Sequence, residues 1–293
     1  MNIKILVHIL CLATVFLSCK KEPSDNNTIQ PETDSSFISK VIWYEDVNGT
    51  NISFSSTYEY DGLKRVAAIY DSSTNYGYTD FLYFYNGNDT LPFKRKEIDN
   101  DQDSIETFYF YNTQGKKIKD SATISYNFTS DPYQPWVQRH YVYANSAIYE
   151  YVDTYDYTNN IWRHSTADTA IIDNNTGNAV SSKYYGWNSS TNNYSLLNSV
   201  AYTYDNSANP FYKLSNLQTE SPVPHEETLM YESPQRNNRT KISWTYTSNP
   251  GNYEFRNVYS YNNDGYVAEV IVTETIPVGI QSYKIKFLYT SLP

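Results

Sequence analysis

Aromatic residues two positions apart recur along this chain, and that spacing constrains its fold more than any other feature. The pairs are Tyr58 and Tyr60, Tyr83 and Tyr85, Tyr109 and Tyr111, Tyr141 and Tyr143, Tyr155 and Tyr157, Tyr202 and Tyr204, and Tyr259 and Tyr261. Trp244 with Tyr246 and Phe287 with Tyr289 are weaker copies. Side chains two apart share one face of a strand, whereas helical spacing would put them on nearly opposite sides. With 32 tyrosines in 293 residues, the chain is built for half-buried pleated surfaces. No segment of ten or more residues carries a helical period.

The residue after each pair is usually a turn-former: Asp61, Asn86, Asn112, Asp205 or Asn262. Their short side chains bond the backbone two residues on and so start a turn. Three residues later stand Gly115 and Gly265, where a hairpin loop calls for a positive φ. Lys64, Asp89 and Ala208 hold that place in other copies, which predicts turns of another length or type there. A second alternation comes next, as in Val66, Ala68 and Tyr70. Each phrase reads as strand, turn, strand, and the first copies start 25 and 26 residues apart, close to two strands and two connections. The polar stretches "NSSTNNYS" and "ESPQRNNRT" read as exposed loops between copies. The fold class expected is all-β, a repetitive antiparallel sheet of successive hairpins, curved or partly closed.

The segments "YEYDGLKRV" and "YFYNTQGKK" resemble the YD repeat of RHS-type proteins, roughly YxYDxxGR followed by an aliphatic residue. The chain is more similar still to lipid-anchored, YD-repeat-like proteins of unknown function in Bacteroidetes, where phrases like "YTYDNSANPFYKL" recur. The resemblance covers most of residues 37–293. It implies a curved sheet of hairpins and no particular activity, and the payload domain of RHS toxins has no counterpart here.

The N-terminus carries an address. Lys4 precedes the apolar run "ILVHILCLATVFLS", which is short for a spanning helix and has the form of a secretory signal. Ser18 before Cys19 resembles the lipobox of bacterial lipoproteins, with Phe16 in a place where aliphatic residues are usual. An ordinary cleavable signal or a short membrane anchor is the competing reading. Residues 1–18 are thus expected to be a lipoprotein signal peptide, and residues 19–36 the lipidated Cys19 followed by a disordered tether. The repetitive β domain is expected over 37–293. Two or more acyl chains on Cys19 would anchor the protein stably. The tether, polar and without aromatics, would reach roughly 20–25 Å on average.

Cys11 and Cys19 are the only cysteines, so the mature chain would hold no internal disulfide and no thiolate metal site. Loss of the signal removes one cation, Lys4, and takes the net charge from −10 to about −11. That balance excludes nucleic acid as a partner. The partners expected are the membrane, through the lipid, and a polysaccharide or a protein. The expected place is the cell envelope, at the outer membrane.

Motifs of chemistry are scarce. "DNDQDSIE" sets Asp99, Asp101 and Asp103 at calcium-loop spacing, but Ser104 and Phe110 stand where an EF-hand needs glycine and glutamate. It reads better as an acidic hairpin loop. His140, His164 and His225 fall in no catalytic pattern, and no nucleophile elbow or phosphate loop occurs. Neither a cofactor nor a metal is expected, and no catalytic residue is assigned. The "DSA" at Asp120 and "DTA" at Asp168, with "DTL" at Asp89 and "DSI" at Asp103, are similar to an O-glycosylation acceptor of exported Bacteroidetes proteins. Trp136, Trp162 and Trp187 could form a platform on which sugar rings stack, while the tyrosine ladder is assigned to packing. The function expected is a lipid-anchored binding or structural module, with glycans as one candidate ligand and no activity named by the sequence. The alternative is a secreted carboxylate-dependent enzyme such as a glycan hydrolase, and a third reading is assembly through exposed sheet edges.

Overall fold

The computed structural model describes residues 36–75, 77–126, 133–212, 214, 235–248, 251 and 253–292. The expected signal, Cys19 and most of the tether lie outside these residues, as does His225. Sixteen strands succeed one another along the chain. They are β1 (Ser36–Tyr44), β2 (Ile52–Tyr60), β3 (Val66–Ser73), β4 (Gly77–Phe84), β5 (Lys94–Asp99), β6 (Ser104–Tyr111), β7 (Lys117–Ser125) and β8 (Gln134–Ala144). The second half comprises β9 (Ala147–Asp156), β10 (Ile161–Ile172), β11 (Ala179–Asn188), β12 (Asn193–Ala208), β13 (Asn237–Tyr246), β14 (Tyr253–Tyr261), β15 (Val267–Ile276) and β16 (Gly279–Ser291). Each pairs antiparallel with its neighbours in sequence, and β1 pairs with β16, so the sheet closes into a barrel. The expected sheet of hairpins is present, but it is fully closed. Closure leaves no edge among these strands for edge-to-edge assembly.

The aromatic pairs explain how the wall is held. In most of the pairs the first member points into the barrel and is buried: Tyr58, Tyr83, Tyr109, Tyr141, Tyr202 and Phe287 are each 8% exposed or less. A tyrosine, the second of its pair except for Tyr259, donates its phenol to a main-chain carbonyl of the preceding strand or its lead-in. Tyr60 reaches the Ile38 carbonyl at 2.8 Å, Tyr85 reaches Val66 at 2.7 Å, and Tyr111 reaches Pro92 at 2.9 Å. Tyr143 bonds Lys117 at 2.9 Å, Tyr204 bonds Ala179 at 2.7 Å, Tyr259 bonds Arg239 at 2.7 Å and Tyr289 bonds Val267 at 2.8 Å. All seven sit on, or directly after, even-numbered strands, which end at one rim; on β10 Ile172 stands in the equivalent place. Burial pushes the Tyr143 and Tyr204 phenols up to about 12, so they remain donors at neutral pH.

Turns at this rim are equally regular. The side-chain oxygen of Asp61 accepts the amides of Leu63 and Arg65, that of Asn112 those of Gln114 and Lys116, and that of Asn262 those of Asp264 and Tyr266. Register shifts beside Tyr60, Tyr111 and Tyr261 mark a bulge at each. Lys64 takes a φ of 63° where Gly115 and Gly265 take 74° and 82°. The lysine therefore adopts the same turn as the glycines, contrary to the expectation of a different one. At Asp205 the side chain accepts the Ser207 amide at 2.9 Å as expected, and the turn of another length expected at Ala208 is there: β12 runs on to Ala208, and residues 209–236 connect it to β13. In that connection Phe211 and Leu214 are buried in the core, with Phe211 against Phe287 at 5.7 Å between centroids. The stretch "ESPQRNNRT" is not wholly loop, because β13 begins at Asn237.

The interior has two chemistries. One apolar cluster draws on β1 to β4 and β9 to β16, with Val41, Ala170, Val272 and Ile285 wholly buried. A 16-stranded wall can enclose a channel; here that side is filled. Strands β5 to β8 stand outside the cluster and carry charges inward instead.

Candidate functional site

Two groupings of side chains stand out, one inside the wall and one on it. Inside, alternation on β7 to β10 puts Lys117, Asp120, Arg139, Tyr141, Glu150 and Asp168 in phase with the buried tyrosines, with Tyr109 facing Asp120 and Tyr141 facing Glu150 across the ladder. The Asp120 carboxylate accepts from Lys117 Nζ at 3.1 Å, Arg139 at 3.2 Å and Tyr141 Oη at 2.8 Å. Arg139 Nε lies 3.4 Å from Glu150 Oε1. Lys117 Nζ also lies 4.6 Å from the Tyr141 ring centroid and 5.5 Å from that of Tyr109. Burial alone would raise the Asp120 carboxyl; Lys117 and Arg139 outweigh it and hold the group below its ordinary value. Burial, with Glu150 and Asp120 adding to it, pushes the Tyr141 phenol well above its ordinary value.

No motif carries this network, so the sequence does not announce it. The available signal is phase: Asp120 and Glu150 stand opposite inward tyrosines, in places where Ile69 and Ile242 face Tyr58 and Tyr202. Glu150 and Asp168 are register partners on β9 and β10, a pair of acids of the kind a carboxylate enzyme would use. Both are sealed, at 0% and 4% exposure, and a substrate cannot reach between them in this conformation. Asp120 and Asp168, expected on the surface as parts of glycosylation acceptors, point inward instead.

On the outer wall the structure brings together residues that the sequence only suggested. Near the rim opposite the tyrosine bonds, Trp162 on β10 faces Tyr155 on β9, with ring centroids 5.2 Å apart. Trp187 on β11 faces Tyr194 on β12 at 4.9 Å, and His164 meets Trp187 at 4.9 Å. Tyr151 lies 6.4 Å from Tyr194. Polar groups stand among the rings: His164 Nδ1 is 2.7 Å from Asp153 Oδ1, and Gln138 donates to Asp153 Oδ2 at 3.5 Å. Trp136, on β8 toward the same rim, is 41% exposed. The three expected tryptophans thus share one outer surface across β8 to β11, continued by Tyr194 on β12. From β8 to β12 is four strand spacings, roughly 19 Å. Edge-on ring packing fixes these rings, so little side-chain entropy remains to be lost when a ligand stacks on them.

The remaining candidates resolve differently. The Asp99 carboxylate accepts the amides of Asp101 and Asp103, and Gln102 takes a φ of 66°. The calcium-like segment is therefore the β5 to β6 hairpin turn, built as at Asp61, and among the described residues no group of three or more acidic, His or Cys side chains could hold a metal. His140 lies on the outer face of β8 opposite Lys119.

No protein-family profile matches the sequence. No curated protein matches it either. Among solved structures, a porin-like protein from Bacteroides vulgatus ATCC 8482 is similar with a TM-score of 0.54 at 12% identity, over 88% of this chain and 100% of that one. A porin-like protein from Bacteroides uniformis ATCC 8492 has a TM-score of 0.38 at 12% identity, over 86% and 98% of the two chains. At this identity the first likeness is one of fold alone.

Proposed function

We propose that this chain is a lipid-anchored cell-envelope protein whose barrel stands in water and binds glycan chains through the aromatic surface of β8 to β12. The observation that carries the reading is the outward Trp162, His164, Trp187 and Tyr194 surface with Asp153 and Gln138 among its rings. Sugar rings present apolar C–H faces to aromatic rings and hydroxyls to carboxylate and amide groups, and this surface offers both. Cys19 serves as the acylation site, in place of any insertion of the wall into lipid.

The description porin-like, applied to the Bacteroides vulgatus structure, does not carry a pore function over to this chain. A membrane barrel turns an apolar band outward. Here Lys96, Lys183, Lys241, Arg256 and Lys284 occupy outward positions in the strands, and Lys241 pairs with Glu254 at 2.6 Å.

The test is titration of the chain with a broad polysaccharide panel, monitored by tryptophan emission. Binding by one class, weakened about tenfold by Trp187→Ala or Trp162→Ala, is expected, a loss of about 1.4 kcal/mol. No response across the panel overturns the glycan reading.

A further inference from the structure

We propose that the outer wall of β4 to β8, beside the rim of tyrosine bonds, docks on the surface of a phospholipid bilayer. This rests on the lipid-anchor reading above but not on the glycan one. Phe84, Phe108, Phe110, Ile118 and Val142 point outward there and are between 36% and 51% exposed. Lysines are threaded through the patch by strand pairing: Phe84 and Phe108 both face Lys94, and Phe110 faces Lys119. Lys94 Nζ lies 4.5 Å from the Phe84 ring centroid and 5.8 Å from that of Phe108, and Lys119 Nζ lies 6.0 Å from that of Phe110. Lys94, Lys96 and Lys119 stand on these strands with Lys116 Nζ 5.0 Å from the Tyr143 ring centroid, and Lys94 pairs with Glu106 at 3.2 Å. Aromatic rings ringed by cations suit the headgroup level of a bilayer, where rings enter the acyl boundary and ammonium groups meet phosphates. The chain as a whole is acidic, so these lysines run against its overall charge.

Where the chain leaves the barrel argues for lipid rather than another partner. Ser36 begins β1 beside Ser291 at the end of β16, which is the same rim that ends at Tyr85, Tyr111 and Tyr143. Ser36 stands seventeen positions after Cys19. Seventeen residues reach at most roughly 60 Å even fully extended, so an acylated Cys19 would limit how far this rim can stand from the membrane. Docking this way turns the tryptophan surface of the opposite rim away from the lipid.

The distribution of tryptophans supplies the experiment. Trp43, Trp136, Trp162, Trp187 and Trp244 all lie on the halves of their strands that lead to the opposite rim. The full-length lipidated chain is reconstituted with vesicles whose phospholipids carry brominated acyl chains, which quench tryptophans within the acyl boundary. The native tryptophans are expected to be unquenched, while Phe110→Trp and, as an independent reporter, Phe84→Trp add a quenched component. Lys94→Glu with Lys119→Glu is expected to remove at least half of that quenching. Vesicle association without quenching of either reporter overturns the docking and leaves the anchor standing; no association at all overturns both. A concentration-dependent dimer abolished by Phe110→Ser would also overturn it, since a second copy would then cover the patch.

Discussion

At the scale of single residues, the second tyrosine of a pair does a job that no other side chain can copy. Its hydroxyl satisfies a carbonyl of the preceding strand, as Tyr85 does for Val66, while the Tyr85 ring centroid lies 4.1 Å from the Arg65 guanidinium. Tyr85→Phe keeps the ring and leaves that carbonyl short of a donor. The expected loss is on the order of 1 kcal/mol, read as a lower urea midpoint at unchanged slope. An unchanged midpoint would mean that the seven bonds are ornaments of a wall held by its ladder alone. Asp71 is the converse case, a residue whose chemistry opposes its position. It points inward on β3 between Ser56 and Thr79. Burial raises its carboxyl to about 6, the Ser56 hydroxyl opposes the rise, and Glu97 and Asp80 add to it. The native state therefore holds this proton more tightly than the unfolded chain, so stability falls as pH rises from about 4 to about 6. Asp71→Asn is expected to flatten that slope and to stabilise the protein at pH 7 by about 1–2 kcal/mol, since one pKa unit is worth about 1.4 kcal/mol. Parallel stability curves for the two proteins between pH 4 and 7 would refute the assignment.

At the scale of elements, the hairpin is the repeat, and its turn can be tested without touching the core. Lys64 holds a left-handed φ that costs a side chain about 1–2 kcal/mol. Lys64→Gly is expected to raise the melting temperature even though the exposed contact of its Nζ with the Leu292 carbonyl is lost. Gly265→Ala should do the reverse: a Cβ there would meet nothing within 4 Å, so its loss of about 1 kcal/mol would come from φ alone. Destabilisation by Lys64→Gly would show that the side chain matters more than the backbone it strains. Hairpins of this kind are legible in the sequence because strand alternation and the Asp or Asn turn are both local. The bulges are not. A register shift between His164 and Thr166, and another between Tyr184 and Tyr185, set the offset at which His164 meets Trp187. Trp162 and Trp187 are therefore visible as candidates, while their surface is not. The Lys117, Asp120, Arg139 and Glu150 network escapes for a related reason. A charge on an alternating strand reads as solvent-facing until the facing ladder is known, and only then does Asp120 fall opposite Tyr109.

At the scale of the whole molecule, closure depends on the pairing of Ser36 with Ser291, residues so far apart that no local pattern announces it. Once closed, the wall separates two environments, and the distribution of side chains between them decides where the barrel can live. Inward stand Val41, Val272 and Ile285, wholly buried. Outward stand Lys96, Lys183, Lys241, Arg256 and Lys284. A lysine or arginine facing lipid costs about 2–4 kcal/mol at the bilayer midplane and about 0–1 kcal/mol near the interfaces, so five would cost at most roughly 10–20 kcal/mol. That upper figure equals or exceeds the whole stability of a typical domain, about 5–15 kcal/mol. On the proposed reading the patch of β4 to β8 touches a headgroup layer, and the outward cations argue against the full wall crossing a bilayer. All sixteen strands lie within residues 36–291, so a chain lacking residues 1–19 retains the complete barrel. In a detergent phase separation this unlipidated chain is expected to stay in the aqueous phase, and the lipidated protein to move to the detergent phase. It should also add no conductance to a planar bilayer at any applied voltage. Partition of the unlipidated barrel into detergent, or stepwise currents from it, would mean that the outward lysines are neutralised or rearranged in lipid and that the barrel is a pore after all.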